Sequence, residues 1–162
     1  MDFELIYASR RYKGVIKNLM QFYIYDFSEY VGCDVEENGL FKAYLKLDDY
    51  WKEKNNKFPY IIKKDEKYIG FVLVKRFKSK RNYFSIAEFF VMKRYRRTGI
   101  GKAAAKQIFN LHKGQWEVHQ RENNKPAQEF WNKVINEYTN GEFSDHVENG
   151  RRIQNFRSPK IS

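Results

Sequence analysis

The chain has 162 residues, 42% hydrophobic and 18% aromatic, which is enough apolar surface for one buried core and excludes a disordered chain. Its formal charge of +11, from 31 Lys plus Arg against 20 Asp plus Glu, points to an anionic ligand without saying whether that is nucleic acid, lipid or a phosphate-bearing molecule. The longest apolar run surrounds Phe71-Val72-Leu73-Val74, far short of the about 20 apolar residues of a spanning helix, and the acids of Met1-Asp2-Phe3-Glu4-Leu5 do not suit a secretory signal. With Cys33 as the single cysteine there is no disulfide and no thiolate zinc cluster, so the expectation is a soluble cytoplasmic protein without a membrane segment.

Residues 3–7 read as an edge strand. From 12 to 30 apolar residues recur at helical spacing, with Val15, Leu19, Phe22, Tyr23 and Phe27 as the expected buried stripe. Residues 32–57 are acidic, and Leu40, Phe41, Tyr44, Leu45 and Leu47 suggest a second short helix before Pro59 opens a strand through Tyr60-Ile61-Ile62. Asp65-Glu66-Lys67 is a turn into residues 68–74, whose near-continuous apolar run predicts a strand buried on both faces. After a basic loop at 75–81, residues 83–92 (YFSIAEFFVM) form a long β-type run containing one acid, Glu88.

From Gly101 the period changes to 3.6, with Ala104, Ile108 and Leu111 on one stripe and Ala105 and Phe109 beside it, until Gly114 stops the helix. Trp116 and Val118 alternate in a strand over 115–119, and Asn124-Lys125-Pro126 starts a helix whose buried stripe is Ala127, Phe130, Trp131, Val134, Ile135 and Tyr138. Asn149-Gly150 joins β-like runs at 142–147 and 151–156 into a hairpin. The order βαα-βββ-αβ-αββ predicts a single α/β domain over 1–162: a mixed sheet of about six to seven strands, about four helices and a C-terminal hairpin.

The charge is unevenly spread. Residues 1–60 hold 9 Lys/Arg against 10 acids, leaving 22 against 10 in the remainder, so the anion site belongs to the C-terminal part. Within 26–53 eight acids face three lysines, a net charge of −5. Between the long strand and the helix lies Arg96-Arg97-Thr98-Gly99-Ile100-Gly101-Lys102-Ala103. Glycines there permit positive φ and close backbone approach, so successive N–H groups and the positive end of the helix dipole can cradle a phosphate. A P-loop is excluded because Ala103 follows Lys102 and no glycine lies five positions before Gly101. A dinucleotide fingerprint is formally met by Gly99, Gly101 and Ala104, but the basic segment 93–97 separates strand from glycines and too little chain follows for a doubly wound sheet.

FFVMKRYRRTGIGKAAA, with Val91, Arg96, Gly99 and Gly101 in place, resembles the central motif of the GNAT superfamily of N-acetyltransferases, and Asn124-Lys125-Pro126-Ala127-Gln128-Glu129-Phe130-Trp131 resembles that family's Asn-x-x-Ala-x-x-aromatic-Tyr helix start. The resemblance implies a GNAT-like fold and acetyl-CoA as cosubstrate. It also implies pairing of the pantetheine arm with Phe90 and Val91, and a phosphate cradle at Arg96, Arg97, Thr98, Gly99, Ile100, Gly101, Lys102 and Ala103. Asn124 is read as a cofactor contact, with a plain helix cap as the alternative.

Acetyl transfer to an amine needs a deprotonated amine, a donor for the developing oxyanion and a proton for the departing thiolate. Glu88, an acid in an otherwise apolar strand, is the candidate general base or anionic anchor for an ammonium group; the polyamine-acetylating branch of the resembled family carries acids at this place. Trp131 stands where many members have the tyrosine that protonates the thiolate. Indole cannot supply that proton, so Trp131 is read as packing against the cofactor arm, and His119 and Tyr138 are the substitute acids. His112, His119 and His146 are scattered, and no metal site is expected. The acidic segment 26–53 favours a small cationic amine as acceptor, in a ternary complex, by a monomer or homodimer with no nucleic-acid partner. The alternative reading is a non-catalytic acyl-CoA-sensing or RNA-binding domain.

Overall fold

Glu4–Tyr7 forms β1 at one edge of a seven-stranded sheet. A 19-residue helix, α1 (Lys13–Val31), and a four-residue helix, α2 (Asp49–Lys52), precede the meander of β2 (Lys57–Lys64), β3 (Lys67–Arg76) and β4 (Tyr83–Val91). Helix α3 (Ile100–Leu111), β5 (Gln115–Arg121), α4 (Lys125–Thr139) and the hairpin β6 (Ser144–Glu148) with β7 (Arg151–Arg157) complete the chain. The computed structural model describes residues 2–159. In space the strands run β1-β2-β3-β4-β5-β7-β6, antiparallel throughout except where β4 meets β5. This is the expected mixed α/β sheet with its C-terminal hairpin, and the element order is the one read from the sequence.

Local chemistry explains the turns. Asp65 and Glu66 (φ 47° and 64°), and Asn149 and Gly150 (φ 52° and 73°), occupy the left-handed region that two-residue hairpin turns require. Gly70 is fixed by packing: a Cβ there would lie 2.2 Å from the Phe90 carbonyl oxygen, so β3 and β4 approach this closely only with glycine at that position.

The sheet separates two apolar layers. On one face α3 and α4 cover Val72, Val74, Phe84, Val91, Trp116 and Val118. On the other, α1, α2 and the segment between them cover Ile61, Phe71, Leu73 and Phe90. Three sequence expectations are corrected. The inner line of α1 is Ile16, Leu19 and Met20, while Phe22 is 57% exposed, because α1 is apolar around much of its circumference and periodicity alone does not choose the buried line. Leu111, the last residue of α3, is exposed, and the stripe ends at Ile108 and Phe109.

The short helix expected across Leu40–Leu47 is instead irregular backbone, with α2 beginning only at Asp49. The cause is a competing set of hydrogen bonds. The Gln21 side chain of α1 donates to the Phe41 carbonyl (3.0 Å) and accepts from the Phe41 N–H (2.8 Å), taking the main-chain groups a helix would have used. Leu45, 80% exposed, contributes nothing to the core, whereas Leu47 is buried.

Candidate active site

The two parallel strands hold together only at their start. Tyr83, Phe84 and Ser85 pair with Gln115, Trp116 and Glu117, after which β4 runs on to Val91 and β5 to Arg121 without pairing to each other. The strands therefore enclose a slot whose lips carry unpaired backbone groups, the arrangement that accepts an extended polar chain as an additional strand. Helix α4 lines one face of it. Phe89 lies 5.6 Å from Phe130 and 5.1 Å from Trp131 between ring centroids, and Trp131 is 7% exposed.

A β-bulge decides which way Glu88 faces. The β3–β4 register moves from Leu73↔Glu88 to Val74↔Ile86, leaving Ala87 as the extra residue. Before the bulge Phe84 and Ile86 face α3 and α4; after it Phe89 and Val91 do. The parity change puts Glu88 on the α1 face, in step with Phe90, instead of inside the α3/α4 core.

There the carboxyl lies in the surroundings of Tyr23 from α1 and Tyr44 from the segment before α2, both of which pack on this face with Phe90. Burial pushes its pKa up, and the two phenol donors, with Lys75 and Arg151 at longer range, pull it back down. Burial and then the nearby carboxylate raise the pKa of Tyr23 and of Tyr44, and Tyr50 of α2 is raised by burial and then by Tyr44. Tyr44 is held in place at both ends of its segment. Gln21 grips Phe41, and Asp48 pairs with Lys13 (2.5 Å), Lys52 (2.8 Å) and Arg10 (3.3 Å); hydrogen bonds from the two lysines hold its carboxyl well below the usual range. Surface clefts of about 210 and 500 Å³ flank this segment, both touching Ala43, Tyr44 and Leu45, the larger also lined by Ile24, Asp34 and Phe41.

The β4 lip exits into the glycine turn. Arg97 (φ 61°) and Gly99 (φ 88°) take left-handed backbone, and Gly99 caps α3. The first intrahelical bond runs from the Ala103 N–H to the Gly99 carbonyl (3.0 Å), so the N–H groups of Ile100, Gly101 and Lys102 lie ahead of it with no intrahelical acceptor. A Cβ on Gly101 would sit 3.3 Å from the Phe130 ring, so glycine here lets α3 approach α4. Thr98 donates its hydroxyl to the Tyr95 carbonyl (2.6 Å) and the Lys102 ammonium pairs with Glu137 (3.1 Å). The Arg96 guanidinium bonds to Val91 and Asp26. What this turn offers a phosphate is consequently its backbone donors and the exposed Arg97 side chain.

The remaining expected residues fall into two groups. His119 lies on β5 two residues beyond the last β4 pairing, on the face away from Trp116 and Val118, with Nε2 3.2 Å from Glu117. Asn124 is the cap of α4, accepting from the Ala127 N–H at 3.2 Å. Tyr138 is separate from both. Its hydroxyl donates to Asn110 (2.8 Å) near the C-terminal end of α3, its ring packs on Phe109, and burial raises its pKa to about 12, all at the paired end of the strands and away from the glycine turn. Among the described residues no three His, Cys, Asp or Glu side chains gather as a metal-ligand set, and no helix is long and apolar enough to cross a membrane. Sequence reasoning missed Tyr23 and Tyr44 as site residues. Only their hydroxyls, on residues otherwise spaced like core positions, hinted at it.

A mixed sheet splayed between two central parallel strands, with a glycine turn leading from one lip into a helix, defines a class of fold that solved acetyltransferase structures share. The chain superposes on the PaiA N-acetyltransferase of Thermoplasma acidophilum in complex with coenzyme A (TM-score 0.68, 14% identity, 97% of this chain and 99% of that one). It likewise matches spermidine N-acetyltransferase from Vibrio cholerae in complex with CoA and spermine (0.68, 12%, 96% and 95%) and an acetyltransferase from Thermus thermophilus (0.70, 8%, 97% and 97%). No curated protein matches in sequence. The acetyltransferase (GNAT) family profile matches residues 24–135, and the chain belongs to that family.

Proposed function

We propose that this acetyltransferase moves the acetyl group of acetyl-CoA to the primary amine of a small cationic molecule, by direct attack in a ternary complex. The observation that carries the reading is the slot itself: one strand, β4, leads at its end into the glycine turn and presents Glu88, through the bulge, on the opposite face beside Tyr44, which lines both clefts. Acetyl-CoA supplies an activated thioester. The N–H groups of Ile100, Gly101 and Lys102 and the Arg97 side chain would hold its pyrophosphate, and the backbone at Phe90 and Val91 would pair with its pantetheine arm. Trp131, Phe89 and Phe130 would exclude water from one side of that arm.

On the other face Glu88 would take the proton of the acceptor ammonium, directly or through water, with Tyr23 and Tyr44 fixing the carboxyl. His119, on the opposite lip, is the side chain best situated to assist the thiolate; a thiol near the ~8.5 of cysteine needs little help to leave. Four acids, Glu29 of α1 and Asp34, Glu36 and Glu37 between α1 and α2, have no ion pair among the described residues, and this acidic stretch, more than the larger cleft's own lining of Asp34, Lys42 and Lys46, favours a cationic acceptor. The spermine bound by the Vibrio cholerae enzyme is of that chemical class.

The test is calorimetry with acetyl-CoA on the wild type and on Gly99→Trp, followed by a thiol-release screen across amines that includes spermidine. Binding by the wild type, loss of binding in the variant and turnover with a cationic amine support the reading. Binding only to a single-stranded oligonucleotide, with a steep salt dependence, would replace it with a nucleic-acid-binding domain. Because an amine of pKa ~10.4 must lose a proton before attack, turnover should rise with pH, and a flat profile across the neutral range would exclude Glu88 as a base.

A further inference from the structure

Arg96 stands in the glycine turn, yet two of its three guanidinium nitrogens are committed to protein. Nε donates to the Val91 carbonyl at 2.8 Å, a terminal N–H donates to the Asp26 carboxylate of α1, and the guanidinium carbon lies 5.8 Å from the centre of the Phe90 ring. A second bond ties the same helix to the other lip. The Asn123 amide, in the turn between β5 and α4, donates to the Tyr30 carbonyl at 2.9 Å. Asp26 and Tyr30 are one helical turn apart, so a single turn of α1 spans the mouth of the slot and grips the exit turn of each lip. Tyr23, one turn earlier, faces Glu88.

We infer that Arg96 is a positioning residue and not a phosphate ligand: with Asp26 it couples the cofactor turn to the helix that carries Tyr23, so that filling the turn orders the acceptor wall. The inference rests on the acetyl-CoA reading above. A planar, forked guanidinium is suited to this. It can donate to the end of β4 and to a carboxylate on α1 at the same time, whereas an ammonium in its place serves one of the two. Turning Nη2 from Asp26 to a phosphate would break the pair and leave that carboxylate, about one-third exposed, with no other ion-pair partner among the described residues.

The experiment uses the wild type, Asp26→Asn and Arg96→Lys, with coenzyme A as the probe. Calorimetry reads its affinity, and amide hydrogen exchange over residues 20–30, with and without saturating coenzyme A, reads the coupling. In the wild type, coenzyme A should slow exchange there by at least about fivefold; in both variants that protection should fall below about twofold. The coenzyme A Kd should change by less than about threefold, because the backbone donors of the turn remain. A merely structural pair would alter exchange in the free protein without removing the response to coenzyme A.

Coenzyme A binding about tenfold tighter in Asp26→Asn would overturn the inference, since the freed guanidinium would then be acting on phosphate; so would a loss of about tenfold or more in Arg96→Lys. Protection of α1 that persists in both variants, or that never appears in a wild type that binds coenzyme A, would sink the coupling alone. A wild type that does not bind coenzyme A would instead overturn the acetyl-CoA reading itself.

Discussion

The face of the sheet under α3 and α4 and the face under α1 are built on different physics. On the first, Phe109 is fully buried with its ring 4.9 Å from Trp116, 4.9 Å from Phe156, 5.1 Å from Tyr138 and 6.3 Å from Trp131, and the buried polar side chains there are neutral and hydrogen-bonded: Gln120 to Gln154, Gln128 and Thr139 to backbone carbonyls. On the second, a half-buried carboxyl sits beside tyrosines under an irregular segment that side-chain bonds hold down at both ends. Close-packed aromatic surface stabilises a fold outright, whereas a partly buried carboxyl costs free energy that its partners only partly offset. The α3/α4 face thus supplies rigidity to one wall of the slot, and the α1 face gives up stability to hold an ionisable group, Glu88, beside the slot.

Substitutions on the two faces should therefore fail in different ways. The largest effect is expected from Phe109→Ala, which opens a cavity in the aromatic cluster: a loss of about 3–5 kcal/mol in urea unfolding. An unchanged midpoint would erase the distinction between the faces. Glu88→Gln should lower kcat by roughly 10²-fold while leaving the fold at least as stable. Because burial raises the Glu88 pKa, the native state holds this proton to higher pH than the unfolded chain does. Stability then falls as pH rises above the usual carboxyl range, and Glu88→Gln, matched to the wild type at low pH, should gain on it as the carboxyl ionises. A variant that loses stability at neutral pH would contradict this.

A smaller effect concerns the other face. His112, whose Nε2 shares a hydrogen bond of 2.7 Å with Tyr60, is lowered to about 4 by burial. The unfolded chain therefore binds this proton first, and stability is complete above the unfolded pKa and lost as pH falls from about 6.5 towards 4, by on the order of 2 kcal/mol. His112→Gln should flatten that slope in urea melts across the interval. Smallest is Asn124→Ala, which removes the cap bond to Ala127 and should cost about 1 kcal/mol in the same assay. If calorimetry shows it also weakening coenzyme A binding by more than that loss explains, the cofactor contact read for Asn124 holds alongside the cap.

Legibility in the sequence follows the same division. Strand runs, the amphipathic α3 and α4, the Asn149-Gly150 hairpin and the glycine turn are all written in residues close together in the chain, and the element order along the chain is the one they predict. The segment before α2 misleads because Leu40, Tyr44, Leu45 and Leu47 imitate helical spacing, while Gln21, twenty residues away, takes the Phe41 backbone. Phe22 misleads for the related reason that a helix apolar on several sides does not reveal which side meets the sheet.

By itself the sequence determined the α/β order, the family motif and the presence of one acid in an apolar strand, since each depends on local periodicity, turn chemistry or composition. The tertiary structure alone decided where that acid points. A one-residue bulge reverses side-chain parity, and whether it falls before or after Glu88 depends on the register with β3 and not on β4's own residues. Tertiary structure likewise decided that Arg96 is bound to Asp26, seventy residues earlier in the chain, and that Tyr138 sits at the paired end of the strands. Contacts between distant residues are set by how the layers pack, and no local pattern encodes them.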